Sequence, residues 1–181
     1  MSKLPQIGTS IFTVMSKMAT EYNAINLSQG FPNFAIDQRL SDIVSRLSKE
    51  NVHQYLPMSG FHPLLNKIAT LVYNSYGRTI QAESEILVTA GATQAIFTTI
   101  TALVNSGDEV ILLDPSYDCY EAPILLCNAK PIRVALNDDY TPNWEQIEEA
   151  FSSETKMIII FIPHKPPGKI WTEDDFIALE N

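Results

Sequence analysis

Four short apolar runs constrain this chain most: ILVT at 86–89, VILLD at 110–114, PIRVA at 131–135 and MIIIFI at 157–162. Helix-patterned stretches separate them, over 92–105, about 117–127, 144–152 and from 172 onward. A strand that is apolar at successive positions must be covered on both faces. Strand–helix alternation supplies that cover and predicts a mainly parallel sheet with helices on either side. Upstream the texture is helical. Ile11, Val14, Met15 and Met18 form a stripe within a predicted helix over 11–22, and a second helix is expected over 39–50. A third follows Gly60, with Pro63 in its first turn, a buried face of Leu64, Ile68, Leu71 and Val72, and Gly77 as its stop. No internal repeat, low-complexity tract or flexible linker interrupts the chain.

Parallel sheets gather ligands at the carboxyl ends of their strands. The unusual residues cluster there. TAGAT follows the first run, DPSYDCY the second and PHKPPGK the fourth. TAGATQAIFTTITALV at 89–104 reads as a glycine turn opening an amphipathic helix, with Ala92, Ala95, Ile96, Thr99, Ile100 and Leu103 on one face. Unpaired N–H groups and the positive end of the helix dipole suit an anion. Gly91 and Ala92 let a phosphate approach, and the Thr93 hydroxyl adds a donor. The alternative is an ordinary strand-to-helix turn that needs a glycine.

WTEDDFIALEN carries a complete set of helix-start signals. Thr172 reads as N-cap and Asp175 as the acid of a capping box, with Trp171 and Phe176 placed to form a hydrophobic staple. No glycine or basic last turn follows before Asn181. The expectation is a chain cut short of its fold; the alternative is a docked terminal helix with a frayed end.

The formal net charge of −9 argues against nucleic acid and anionic membranes as partners. No apolar run approaches the length of a membrane span, and MSKLPQIGTSIF lacks the apolar core of a secretory signal. Cys119 and Cys127, if they share one helix, lie roughly 12 Å apart, beyond the roughly 7 Å a disulfide allows. Two free thiols point to a reducing, cytoplasmic compartment. His53, His62 and His164 are scattered, so no metal site is expected.

The segments NLSQGFPNF, NVHQYLPMSGFHPL, ILVTAGATQAI, GDEVILLDPSYDCY and PHKPPGKIW, in that order and across essentially the whole chain, resemble one family. It is the class I/II, fold type I pyridoxal-phosphate-dependent aminotransferases, in the branch of methionine and kynurenine aminotransferases. The resemblance implies an α/β fold: an incomplete large domain of this fold type, a three-layer αβα arrangement around a mainly parallel sheet, over 39–181. Residues 1–38 would be an N-terminal arm with a segment of the small domain.

The resemblance further implies site residues. Gly91, Ala92 and Thr93 match the loop that holds the phosphate of pyridoxal 5′-phosphate, in accord with the electrostatic reading. Tyr117 matches the aromatic residue that stacks on the pyridine ring; a core aromatic at a strand end is the alternative. Tyr55 matches a tyrosine that reaches the phosphate in the neighbouring subunit, or it caps a core. Gly30 matches a position whose N–H meets the substrate carboxylate, or it is a turn glycine.

One match departs from the pattern. Lys165 occupies the place of an asparagine that bonds the cofactor's phenolic oxygen. An ammonium still donates, with a full charge on a longer stem. The family's Schiff-base lysine, its aspartate facing the pyridine nitrogen and its carboxylate-gripping arginine all lie downstream of this point. No catalytic residue is therefore nominated, and Lys165 is not expected to replace the lysine nucleophile.

Family-level function would be amino-group transfer between an amino acid and a 2-oxo acid, with this chain inactive alone. The other reading is a remnant that binds cofactor weakly, or that forms a homo-oligomer or pairs with a complementary chain. Of the four runs, only the second and third are expected to be direct sheet neighbours. The first and fourth would carry unpaired edges that invite association.

Overall fold

The computed structural model describes residues 3–30 and 32–180. Phe31 of the NLSQGFPNF motif and Asn181 lie outside the described residues, as do the first two residues of the N-terminal arm. The chain divides into two compact units, one of residues 1–10 and 90–181, the other of residues 11–89.

The first unit is built on β1 (Glu109–Asp114), β2 (Lys130–Ala135) and β3 (Thr155–Ile159), a parallel sheet of order β2-β1-β3. This is the expected parallel α/β arrangement, with one difference in pairing. The second run pairs with the third, as expected, and also with the fourth: Val110 lies opposite Met157 and Leu112 opposite Ile159. β1 is therefore central, paired along its whole length with β2 and from Glu109 to Leu112 with β3.

Burial explains why β1 takes that place. Val110, Ile111, Leu112 and Leu113 are all at or below 1% exposure. Successive side chains point to opposite faces, so two cores form. Val110 and Leu112 join Ile100 and Val104 of the region around α4 (Ala92–Leu103) and Ile124 of α5 (Glu121–Leu126). Ile111 and Leu113 join Val134, Ile147 of α6 (Trp144–Ala150) and Trp171. Full burial of each such side chain is worth about 1.5–3 kcal/mol.

Local signals set the helix ends. The Asn143 side chain accepts from the Gln146 N–H at 3.2 Å and starts α6. The capping box before α7 (Glu173–Glu180) forms as the sequence predicts: the Thr172 N–H donates to Asp175 Oδ2 at 2.8 Å, and the Asp175 N–H donates to Thr172 Oγ1 at 3.3 Å. Trp171 and Phe176 meet with centroids 5.7 Å apart, completing the staple. α5 is shorter than predicted; Cys127 follows its last residue, and both cysteines are free thiols.

The second unit holds α1 (Ile11–Glu21), α2 (Gln38–Leu47) and α3 (His62–Tyr76). Asp37 accepts from the Arg39 N–H to begin α2. Gly77, at φ +66°, ends α3 in the left-handed conformation expected of a C-terminal glycine. The α3 face differs from the predicted one. Leu65 is its buried residue, whereas Leu64 and Leu71 are exposed.

ILVT at 86–89 is not a strand. The Val88 N–H instead donates to the Ser59 carbonyl at 2.9 Å, and Val88 crowds Gly60, where an added Cβ would meet it at 3.1 Å. An apolar run becomes a strand only where a neighbour takes its backbone bonds.

Candidate functional site

In the first unit, Gly91 is the N-cap of α4 at φ +89°, ψ 163°. That region is essentially reserved for glycine. An added Cβ would meet nothing within 4 Å, so conformation and not crowding demands the glycine. Gly91, Ala92 and Thr93 are exposed. The Ala90 N–H is taken by Gln94 Oε1 at 2.6 Å. The first turn of α4 thus opens to solvent with the N–H groups and dipole potential that any helix start offers.

The loop after β1 carries Tyr117. Its ring packs on the core cluster that also receives Ile96 of α4, and meets Tyr120 edge-on at 5.9 Å. Burial raises the pKa of the Tyr120 phenol, so it stays neutral. Burial likewise raises the Cys119 thiol, with Asp118 adding to the effect, so it is no activated nucleophile.

The loop after β3 comes to the same place. The Lys165 ammonium lies 4.2 Å over the centroid of the Tyr117 ring. His164 is 3% exposed. Its Nε2 lies 2.9 Å from the Pro115 carbonyl, so that nitrogen carries the proton and donates. Nδ1 is buried without a partner among the described residues. The His164 N–H donates to the Lys169 carbonyl at 2.7 Å and closes the loop on itself. A scattered histidine in the sequence is thus the tie between two loops. Its one signal is its place, between Pro163 and the Lys165-Pro166 pair directly after an apolar strand.

A crevice of about 620 Å³ opens beside these loops, lined by Asp114, Ser116, Arg133, Asn137 and Tyr140 among others. None of the residues nominated from the sequence lines it. Arg133 there is neutralised internally, by Asp114 at 2.9 Å and Glu121 at 2.9 Å. Burial pulls its pKa down, but the two carboxylates outweigh that and the net shift is upward.

Tyr55 and Gly30 belong to the second unit. Tyr55 is fully exposed. Gly30 has neither a left-handed φ nor a neighbour within 4 Å of an added Cβ, so neither strain nor packing accounts for a glycine there. The residues before it form a polar chain, in which Ser16 donates to Gln29 at 3.0 Å and Asn26 donates to Ser16 at 3.1 Å.

The profile of the aminotransferase class I and II family matches residues 22–180. The chain belongs to that family. It is 43% identical to a methionine aminotransferase of Escherichia coli (strain K12), over 98% of this chain and 46% of that protein. It is 35% identical to a kynurenine–oxoglutarate transaminase of Dictyostelium discoideum, over 93% of this chain and 42% of that protein.

Two solved structures share the fold. One, an Escherichia coli protein identified as having a methionine aminotransferase function, superposes with a TM-score of 0.93 at 43% identity, over 99% of this chain and 47% of that one. The other, the N-succinyldiaminopimelate aminotransferase of Mycobacterium tuberculosis, gives 0.92 at 32% identity, over 99% and 47%. The chain spans somewhat less than half the length of the relatives it matches.

Aminotransferases of this family depend on pyridoxal phosphate. The residues present suit such a group in two respects. The open, glycine-started terminus of α4 suits a phosphate, and the half-buried Tyr117 ring suits a flat heterocycle. The Lys165 ammonium over that ring is the feature the family pattern does not prepare for. Among the described residues, no three metal-ligating side chains converge and no helix is long and apolar enough to cross a membrane.

Proposed function

We propose that this chain supplies the phosphate-holding and ring-stacking residues of an aminotransferase. The reaction would move an amino group between an amino acid of the methionine or aromatic/kynurenine kind and a 2-oxo acid. The names of the relatives support that substrate class. One observation carries the reading of the site: a helix start that only glycine can form, at Gly91, in the same compact unit as a half-buried tyrosine on the strand-end loop.

In this reading the N–H groups at Gly91 and Ala92 and the Thr93 hydroxyl hold the cofactor phosphate, and Tyr117 supports its ring. Lys165 donates at the ring edge, Tyr55 reaches a phosphate in a second subunit, and the Gly30 N–H meets the substrate carboxylate. Bound pyridoxal phosphate would supply an electron sink for the substrate's α-carbon. Residues 1–38 are the arm and small-domain segment and 39–181 the large-domain part, a division by family ancestry and not by packing. The free thiols support a reducing, cytoplasmic setting.

None of the residues nominated here is the lysine nucleophile of the reaction, so the chain alone binds cofactor without transaminating. The second reading is a remnant that binds cofactor weakly, or that pairs with another chain or a second copy. The test is direct. The purified chain is titrated with pyridoxal phosphate, reduced with borohydride and assayed with methionine or kynurenine plus a 2-oxo acid. We expect reversible binding, no single lysine fixed to cofactor and no turnover. Thr93→Val should weaken binding by roughly tenfold or more, the worth of a hydrogen bond to a charged group. Turnover by the chain alone would falsify the inactive reading. Absence of affinity, even beside a polypeptide matching the rest of a relative, would sink the cofactor reading.

A further inference from the structure

Trp144, Ile147 and Glu148 lie on one face of α6 at helical spacing, and Phe151 caps the helix. Together with Leu179 and Glu180 of α7 they line a crevice of about 710 Å³. Ile147 is buried, but Phe151 is 48% exposed, so half of a large apolar ring is left uncovered there. Acidic groups surround this apolar surface. Glu148 and Glu180 belong to the lining itself. α6 also carries Glu145 and Glu149, α7 carries Glu173 and Asp174, and neither helix holds a Lys or Arg. Among the described residues none of these carboxylates enters a salt bridge. Glu148 and Glu149 sit in the last turn of α6, where the helix dipole disfavours an anion and favours a cation. Local stability therefore gives no reason for acids at that end.

We propose that this crevice docks a basic amphipathic helix of another polypeptide. The apolar side of such a helix covers Phe151 and Leu179. Its flanking Lys or Arg residues pair with Glu148 and Glu180 and meet the negative end of α6. Charge decides against the other occupants. A second copy of this chain brings net −9 against −9, and acids against acids across a two-fold contact. The same field repels nucleic acid and anionic lipid. Among the described residues no three metal-ligating side chains converge, so the acids do not form a metal site.

The reporter is built in. The chain has two tryptophans. Trp144 lines the crevice, and Trp171 meets it edge-on with centroids 5.6 Å apart. The probe is a synthetic peptide of about four helical turns, made of Leu and Lys in the amphipathic period and free of aromatic residues. A scrambled peptide of the same composition lacks the period. The tryptophan emission of the full 181-residue chain is titrated with each peptide at low and at physiological salt.

The amphipathic peptide should shift the emission and bind about fivefold or more tightly than the scrambled one. Phe151→Ala should weaken it by about fivefold or more, the loss of an apolar anchor. Glu148→Gln combined with Glu180→Gln should weaken it by about threefold and reduce its salt dependence. All three side chains are exposed, and circular dichroism checks that each variant keeps its fold. Glu21→Gln combined with Asp42→Asn removes the same charge from the second unit and should leave the affinity unchanged. Equal binding of the scrambled peptide, or indifference to Phe151→Ala, would overturn the crevice as the docking site. Equal effects of the two charge-removing pairs would overturn the role of its acids. No binding would overturn the proposal; if Phe151→Ala then abolished self-association in sedimentation velocity, the occupant would be a second copy.

Discussion

His164 and Pro115 are joined across two strand-end loops: the imidazole Nε2 donates to the proline carbonyl at 2.9 Å, deep enough that the histidine is only 3% exposed. The bond requires a proton on Nε2, and Nδ1 is buried with no partner among the described residues. It also fixes the loop that carries Lys165 relative to the loop that carries Tyr117.

Removing the donor breaks the bond to the Pro115 carbonyl. His164→Leu should cost about 0.5–1.5 kcal/mol in denaturant unfolding, the net worth of one hydrogen bond. His164→Gln, which keeps a donor near the Nε2 position, should recover part of that loss. Equal stability of both variants and the wild type would mean the bond contributes nothing.

Gly91→Ala should destabilise the chain by about 1–3 kcal/mol, because φ +89° with ψ 163° is strained for any residue bearing a Cβ. No clash accompanies it, since the space is open. Urea titration measures the loss; a neutral substitution would mean that the helix start relaxes without cost.

The capping box before α7 makes a pH-dependent contribution. The Asp175 carboxyl sits below its ordinary pKa, chiefly because it accepts from the Thr172 N–H. A lowered folded-state pKa gives stability that is present above the unfolded value and is lost as pH falls through the folded one, here below about pH 4. Thr172→Ala should cost about 1 kcal/mol. Asp175→Asn should flatten that acid limb, and an unaltered limb by thermal melting would remove Asp175 from the account.

Association should rise with concentration. Among the described residues β3 pairs only with β1, and its other edge is open. The second unit exposes Ile25, Leu27, Tyr55 and Met58 almost completely or by more than four-fifths. Open edges and apolar surface recruit partners. Sedimentation velocity across a concentration series should show self-association; a monomer at every concentration would contradict it.

Short-range chemistry decides the features that are legible in the sequence. The Thr172–Asp175 box, the Trp171–Phe176 staple and the Gly77 stop each involve residues within six positions of one another, and all three form. The features that are not legible depend on distant partners. Residues 86–89 have the composition of a strand, but whether they pair depends on a neighbour the local sequence does not specify. β3 beside β1 is a crossover, set by which edge of a central strand is free. Leu65 takes the place of Leu64 on the buried face of α3 because a helical face is broad and one position turns it by about 100°. His164 escapes notice because an isolated histidine in sequence gives no hint of the carbonyl it will meet. Of the residues nominated for the site, Tyr117 and Lys165 are brought together, and Gly91–Thr93 share their unit.

The alternation along β1 has a genetic corollary. Val110 and Leu112 serve one core while Ile111 and Leu113 serve the other, with pairing on both edges. A single codon inserted or deleted within this hexapeptide would hand each core the other's side chains and misalign both ladders at once. The gene should therefore tolerate length variation in the turns on either side of residues 109–114 far better than anywhere inside them.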